Sequence, residues 1–285
     1  MKIIVCVFAL IVLVHCQAKS IAPWARFAAN IRTNSWRSVI TVNRNTKIVG
    51  GSYATNGQLP FQVGMYLDGT GFCGGSLISD TVILTAGHCV VGTRTFTVHA
   101  GSIDVDLTTT PAQIVTATQK ILHEFYSPTN LLNDIGLVIL DAPLTGTNIG
   151  AIRLPNRLQI EETFEGAVAT ASGWGRVSDD DGRLSQFLKF VNVNIISNVD
   201  CEAIYGPAVN DAKLCIDTNS GFEGTCFGDS GGPLTITEAD GISTAVGITS
   251  FVDDGGCQTG NPAGFTRVSM YIDWISQHSG IPVRP

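Results

Sequence analysis

Between residues 48 and 279 the chain alternates short apolar segments with joints rich in Gly, Asp, Asn and Pro. Segments 61–67, 96–100 and 190–195 place apolar side chains at every second position, the habit of strands with one buried face. Turn-forming residues punctuate nearly every gap between them. A helical period occurs at the end, where Tyr271, Trp274, Ile275 and His278 share one face of residues 269–278. The pattern predicts an all-β body with a C-terminal helix, and no internal repeat or low-complexity tract interrupts it.

The first 47 residues follow a different pattern. Lys2, an apolar run over residues 3–14 and then Cys16-Gln17-Ala18 read as a secretory signal over residues 1–18. A membrane anchor would need about 20 apolar residues, and this run is too short. Residues 19–47 contain Pro23, scattered arginines and little apolar periodicity, so they are expected to form no core of their own. Their Trp24, Phe27 and Trp36 offer packing surface, but a flexible tether fits the composition better. Lys47 followed by Ile48-Val49-Gly50-Gly51 marks a basic cleavage point, which leaves 48–285 as one folded unit.

Charge sharpens this division. Residues 1–47 carry seven Lys/Arg and no Asp or Glu, whereas the remainder carries ten basic and all 24 acidic residues, a net −14. An acidic body argues against nucleic acid or an anionic membrane as partner. Secretion makes disulfides expected. Of eight cysteines, Cys6 and Cys16 belong to the signal, leaving Cys73, Cys89, Cys201, Cys215, Cys226 and Cys257. Sequence alone allows any of the fifteen pairings. No Cys-x-x-Cys pair or His–Cys cluster has metal-ligand spacing, so no metal is expected. His99, His123 and His278 lie apart and read as structural or exposed.

Two segments carry chemistry. Residues 228–233 read Gly-Asp-Ser-Gly-Gly-Pro, and Thr85-Ala86-Gly87-His88-Cys89 closes an apolar stretch. A serine hydroxyl is a poor nucleophile unless a base takes its proton and N–H donors hold the oxyanion that follows. Glycines around Ser230 permit a tight loop that aims such donors inward. His88 is the candidate base. Asp134, in Asn133-Asp134-Ile135-Gly136-Leu137, is the candidate carboxylate that orients it; a strand-end cap is the blander alternative.

The order His, Asp, Ser resembles the trypsin–chymotrypsin family of serine endopeptidases, over residues 48 to about 279. Ser250-Phe251, Gly256-Cys257 and the run Gly260 to Val268 look most like its arthropod brachyurins, the serine collagenase and chymotrypsin-like branch. The resemblance implies two six-stranded antiparallel β-barrels with a C-terminal α-helix, His88 and Asp134 in the first half and Ser230 in the second. It implies an oxyanion hole from the N–H groups of Gly228 and Ser230, and disulfides Cys73–Cys89, Cys201–Cys215 and Cys226–Cys257. Cutting after Lys47 would free the Ile48 amine to pair with Asp229, which makes the chain a zymogen. Gly224, Ser250, Val252 and Ala263 fall at the substrate pocket. Gly224 stands where trypsin-like members have Asp, and Val252 where a glycine is usual. Small or medium apolar residues are therefore expected before the cut bond, with Asp253 and Asp254 as acids that would favour a basic residue if turned inward. Gly87 departs from the family's alanine. Ser102 replaces a calcium-binding glutamate, so no calcium and no other cofactor is implied.

The expected partners are protein or peptide substrates, an activating trypsin-like protease and protein inhibitors, with the enzyme a monomer of digestive role. A catalytically silent homologue, acting as a binding or immune cofactor, is the alternative from another class; such proteins normally lose one triad member, and here all three positions are filled.

Overall fold

A computed structural model describes residues 49–106 and 112–285. The signal, the basic extension and the cleavage point at Lys47 and Ile48 lie outside the described residues. The chain runs through β1 (Ser52–Tyr53), β2 (Gln62–Leu67), β3 (Gly71–Leu77), β4 (Val82–Thr85), helix α1 (Gly87–Val90), β5 (Phe96–Ala100), β6 (Gln113–Ala117), β7 (Gln119–Leu122) and β8 (Gly136–Ile139). It continues through β9 (Val168–Gly173), β10 (Lys189–Ile196), α2 (Asn198–Tyr205), β11 (Lys213–Ile216), β12 (Pro233–Thr237), β13 (Ser243–Phe251), β14 (Ala263–Arg267) and α3 (Ile272–Ser279).

Two antiparallel sheets result, with orders β6-β5-β2-β3-β4-β8-β7 and β1-β10-β11-β14-β13-β12-β9. Only Thr118 separates β6 from β7, so they act as one bent strand that pairs β5 through one half and β8 through the other. That bend closes the first barrel with six strands. The second closes where β9 pairs both β10 and β12, and β1 adds a two-residue edge.

Strand positions follow the alternation. In β5 Phe96, Val98 and Ala100 are buried, while Thr97 and His99 are half-buried between them. The first core holds Met65, Ile83, Phe96 and Leu137, and the second holds Val193, Leu214, Leu234 and Phe265. Removing one such side chain, as in Leu137→Ala, costs about 2–5 kcal/mol.

The C-terminal segment ties the halves together. It leaves β14 in the second barrel, and Val268, Tyr271 and Ile275 then pack into the first core. Its first turn, Val268–Tyr271, is a 3-10 turn and α3 follows, so the expected helix over 269–278 is split in two. Helix α2 was not anticipated. It buries only Cys201 and has little amphipathic pattern, and its signal is the capping Ser197, whose side chain accepts from Asp200 N–H.

Candidate active site

β4 ends at Thr85 and the chain turns through α1, which carries His88. The Cys73–Cys89 disulfide (Cα–Cα 6.3 Å) ties this turn to β3. Gly87 has a local reason: a Cβ there would meet Tyr126 Cδ2 at 3.0 Å, with Ile135 N and Leu122 Cδ1 at 3.1 Å. The neighbouring Tyr126 fills the space that an alanine methyl would need.

Asp134 is fully buried just ahead of β8. Its Oδ1 accepts from His88 N–H (2.8 Å), and its Oδ2 faces His88 Nδ1 (2.9 Å) and accepts from Ser250 Oγ (2.6 Å). Thr266 Oγ1 donates to the Asp134 carbonyl (2.9 Å). Burial pushes the carboxyl up, but His88, Lys213 and the bonds from His88 and Ser250 outweigh it and hold Asp134 below the usual carboxylate range. The approach loop is bound as well: Asn133 (φ 51°) donates to Phe125 O and accepts from Tyr271 Oη.

Ser250 reaches Asp134 through a bulge. β13 pairs Thr249 with Phe265 and Phe251 with Gly264, leaving Ser250 as the extra residue. Bulges re-aim side chains in this way.

Ser230 lies on the second barrel's loop, half-buried, with its carbonyl accepting from Gly74 N–H of β3 (2.8 Å). The next residue explains the glycine there. A Cβ on Gly231 (φ 77°) would stand 2.1 Å from Thr85 Oγ1, so only glycine lets this loop rest on the strand that leads to His88. Among the described residues Ser230 Oγ and His88 are not hydrogen-bonded to each other; such bonds are often long without substrate. The backbone around them is partitioned. The N–H groups of Asp229, Gly231 and Gly232 bind Cys226 O, Thr249 O and Asp229 O. Those of Gly228 and Ser230 are donated to no acceptor among the described residues.

Asp229 is fully buried, and it accepts from Gly175 N–H and Cys226 N–H, both at 2.8 Å. A Cβ on Gly173 or Gly175 would lie 2.1 or 2.4 Å from the carboxylate, so the Gly-Trp-Gly segment is its cradle. Burial pushes Asp229 up to about 6, against those two donors and the Lys189 charge. Ile48 lies outside the described residues. Val49, beside it in sequence, is buried and bridges Gly224.

Gly224 has φ 145°, a conformation that a side chain would strain, and its nearest side-chain neighbour is Thr218. Val252 is half-buried against Val49, Cys226 and Cys257, and Ala263 is buried in the second core. The Asp253 carboxylate is taken by Asn261 Nδ2 (2.8 Å) and Gly255 N–H (2.8 Å), while Asp254 is exposed. The remaining disulfides, Cys201–Cys215 and Cys226–Cys257, flank this region.

Sequence reasoning missed Lys213, Thr266, Asn133 and Tyr271, which surround Asp134. It also left apart two histidines that the structure joins: His123 and His278 both pack against Trp274 (5.2 and 4.7 Å between centroids), and His278 Nε2 pairs with Glu124 (3.2 Å).

A serine whose loop rests on the strand leading to a histidine–aspartate pair, with two spare N–H donors in that loop, offers the parts that nucleophilic acyl transfer needs. The family described as Trypsin matches residues 48–275. Brachyurin of Leptuca pugilator is 40% identical over 235 residues, covering 82% of this chain and 99% of that protein. Collagenase of Hypoderma lineatum is 35% identical over 243 residues, covering 84% and 89%. A solved HL collagenase structure superposes with a TM-score of 0.74 at 36% identity, covering 82% of this chain and all of that one. The chain belongs to the trypsin family and is a serine endopeptidase with brachyurin, collagenase and chymotrypsin homologues. No helix among the described residues is long and apolar enough to cross a membrane.

Proposed function

We propose that the chain is a secreted zymogen whose 48–285 portion cuts proteins through an acyl-enzyme on Ser230. Ser230 Oγ attacks the scissile carbonyl while His88 takes its proton through Nε2. The oxyanion is held by the N–H groups of Gly228 and Ser230. His88 then protonates the leaving amine, and water releases the acyl group by the reverse proton path. The observation that carries this reading is the double tie of His88 to Asp134. It leaves the far side of the imidazole for the serine and fixes Nδ1 as the protonated nitrogen.

Residues 1–18 act as signal and 19–47 as the propeptide, removed by a trypsin-like protease after Lys47. The new Ile48 amine then neutralises Asp229. A pocket with Gly224 at its base offers no carboxylate to a basic side chain, and an unpaired buried charge is strongly penalised. The cut therefore follows Ala, Val, Leu or Met in preference to Lys or Arg, and the enzyme depends on another protease for activation. Elastase-like preference is the first reading and chymotrypsin-like the second. A digestive role and collagen as a substrate follow from the resemblance, as do protein inhibitors as partners. After activation with trypsin, kcat/KM on matched peptides ending in Ala, Leu, Phe and Arg tests this; dominance by Arg would overturn the pocket assignment.

A further inference from the structure

Behind Asp134 stands a charged side chain that the reaction does not consume. Lys213, the first residue of β11, is 1% exposed. Its Nζ donates to Leu131 O (2.7 Å), Ser250 Oγ (3.0 Å) and Thr266 Oγ1 (3.5 Å), so all three ammonium protons are assigned. The two hydroxyls among these acceptors are the same two that donate to Asp134, Ser250 to its carboxylate and Thr266 to its carbonyl.

A hydroxyl has one proton and rotates to suit its neighbours, whereas an ammonium can only donate. With Lys213 behind them, Ser250 and Thr266 must accept on that side and turn their protons toward Asp134. Leu131, held by the third proton, has φ 53° and belongs to the segment that delivers Asp134. We infer that Lys213 is a positioning residue for the reaction: its ammonium orients the Ser250 and Thr266 hydroxyls onto Asp134 and anchors the loop at Leu131. This rests on Asp134 and His88 being the base pair.

Among the described residues the charges near the pair are few. Asp134 is faced by His88 from α1, Lys213 from β11, Tyr126 from the loop before it and Tyr271 from the 3-10 turn. Both phenols are pushed upward by burial, Tyr271 to about 12, so neither charges in the working range. Burial lowers Lys213 to about 8, opposed by Asp134, so it is a cation at neutral pH.

The test uses the cleaved enzyme. Labelling of Ser230 by an organophosphonate is measured first; a wild type that does not label indicts the base-pair assignment rather than Lys213. In Lys213→Met and Lys213→Gln, kcat should fall about tenfold, the worth of roughly one hydrogen bond, with KM unchanged because Lys213 is out of substrate reach. Losing the cation beside Asp134 should move the acid limb of kcat/KM up in both. An acid limb that stays in place in a folded variant would make Lys213 merely structural and overturn the inference. Should neither variant fold, the wild type still decides. The cleaved chain keeps three lysines, Lys120, Lys189 and Lys213. In 15N-lysine-labelled enzyme a protected, charged Nζ at pH 6 is expected for Lys213, and a neutral amine there would refute the inference.

Discussion

His88 and Asp134 are joined at two points: the backbone N–H of His88 lies 2.8 Å from Oδ1, and its Nδ1 lies 2.9 Å from Oδ2. One bond fixes where the residue sits and the other fixes which ring nitrogen carries the proton. The carboxylate thus sets both place and tautomer of the base, and its environment decides whether that setting holds.

Asp134→Asn should preserve the fold and abolish most activity. An amide offers N–H as readily as oxygen to Nδ1, so the wrong tautomer becomes available; in the type case of this chemistry that costs about 10⁴ in kcat. Steady-state kinetics on the cleaved variant check this, and a loss below tenfold would contradict the orienting role.

Asp229 predicts how stability changes on activation. Its pKa of about 6 in the uncut chain lies above the ordinary 3.8, so the folded state holds the proton more tightly than the unfolded one. That contribution is full below the ordinary value and is lost as pH rises from about 4 to 6, amounting to about 3 kcal/mol. On the proposed activation, a neighbouring Ile48 ammonium would reverse it. Cutting after Lys47 should raise Tm at pH 7 and do little at pH 4. An equal effect at both values would remove the pairing.

The same pair predicts the alkaline side of the rate profile. A free α-amine titrates near 7.7–8.0, and the proposed pairing with Asp229 would raise it, so the active form should persist below the raised value and fade above it. Lys213→Met separates this limb from any contribution of Lys213. Uncut chain should be inert throughout. Asp229→Asn should cleave normally yet stay nearly inactive, because one amide oxygen cannot satisfy both Gly175 N–H and Cys226 N–H, leaving a buried donor at a cost of about 1–3 kcal/mol. Substantial activity in that variant would argue against the pairing.

Val252→Gly tests the pocket wall. Removing the isopropyl group should raise kcat/KM for Phe relative to Ala, within the roughly 1–3 kcal/mol that apolar fit can discriminate. An unchanged Phe-to-Ala ratio would place the restriction elsewhere. Arg should remain poor, since Asp253 is already engaged by Asn261 and Gly255.

What the sequence disclosed depended on whether the signal was local. Alternation in β5 and β10 was legible because each strand buries one face of its own pattern. Motifs around His88, Asp134 and Ser230 were legible because tight turns demand glycine at particular places, as at Gly231. The bulge at Ser250 was not, since an extra residue shows only against its partner strand. Ser250 was accordingly assigned to the pocket, and its bond to Asp134 went unread. Lys213 was silent for a like reason. A lysine in Asp211-Ala212-Lys213-Leu214-Cys215 looks like a solvated strand end until the first barrel supplies Leu131 as its acceptor. His123 and His278 meet only because α3 crosses back to the first barrel.

Activation of Ser230 by His88 underlies every step proposed above. An organophosphonate serine probe, followed by peptide mass mapping, reads that activation at the serine itself. Stoichiometric modification is expected at Ser230 in the cleaved enzyme, and none in the uncut chain or in cleaved His88→Ala. Modification elsewhere, no modification of the cleaved enzyme, or equal labelling of His88→Ala would contradict it.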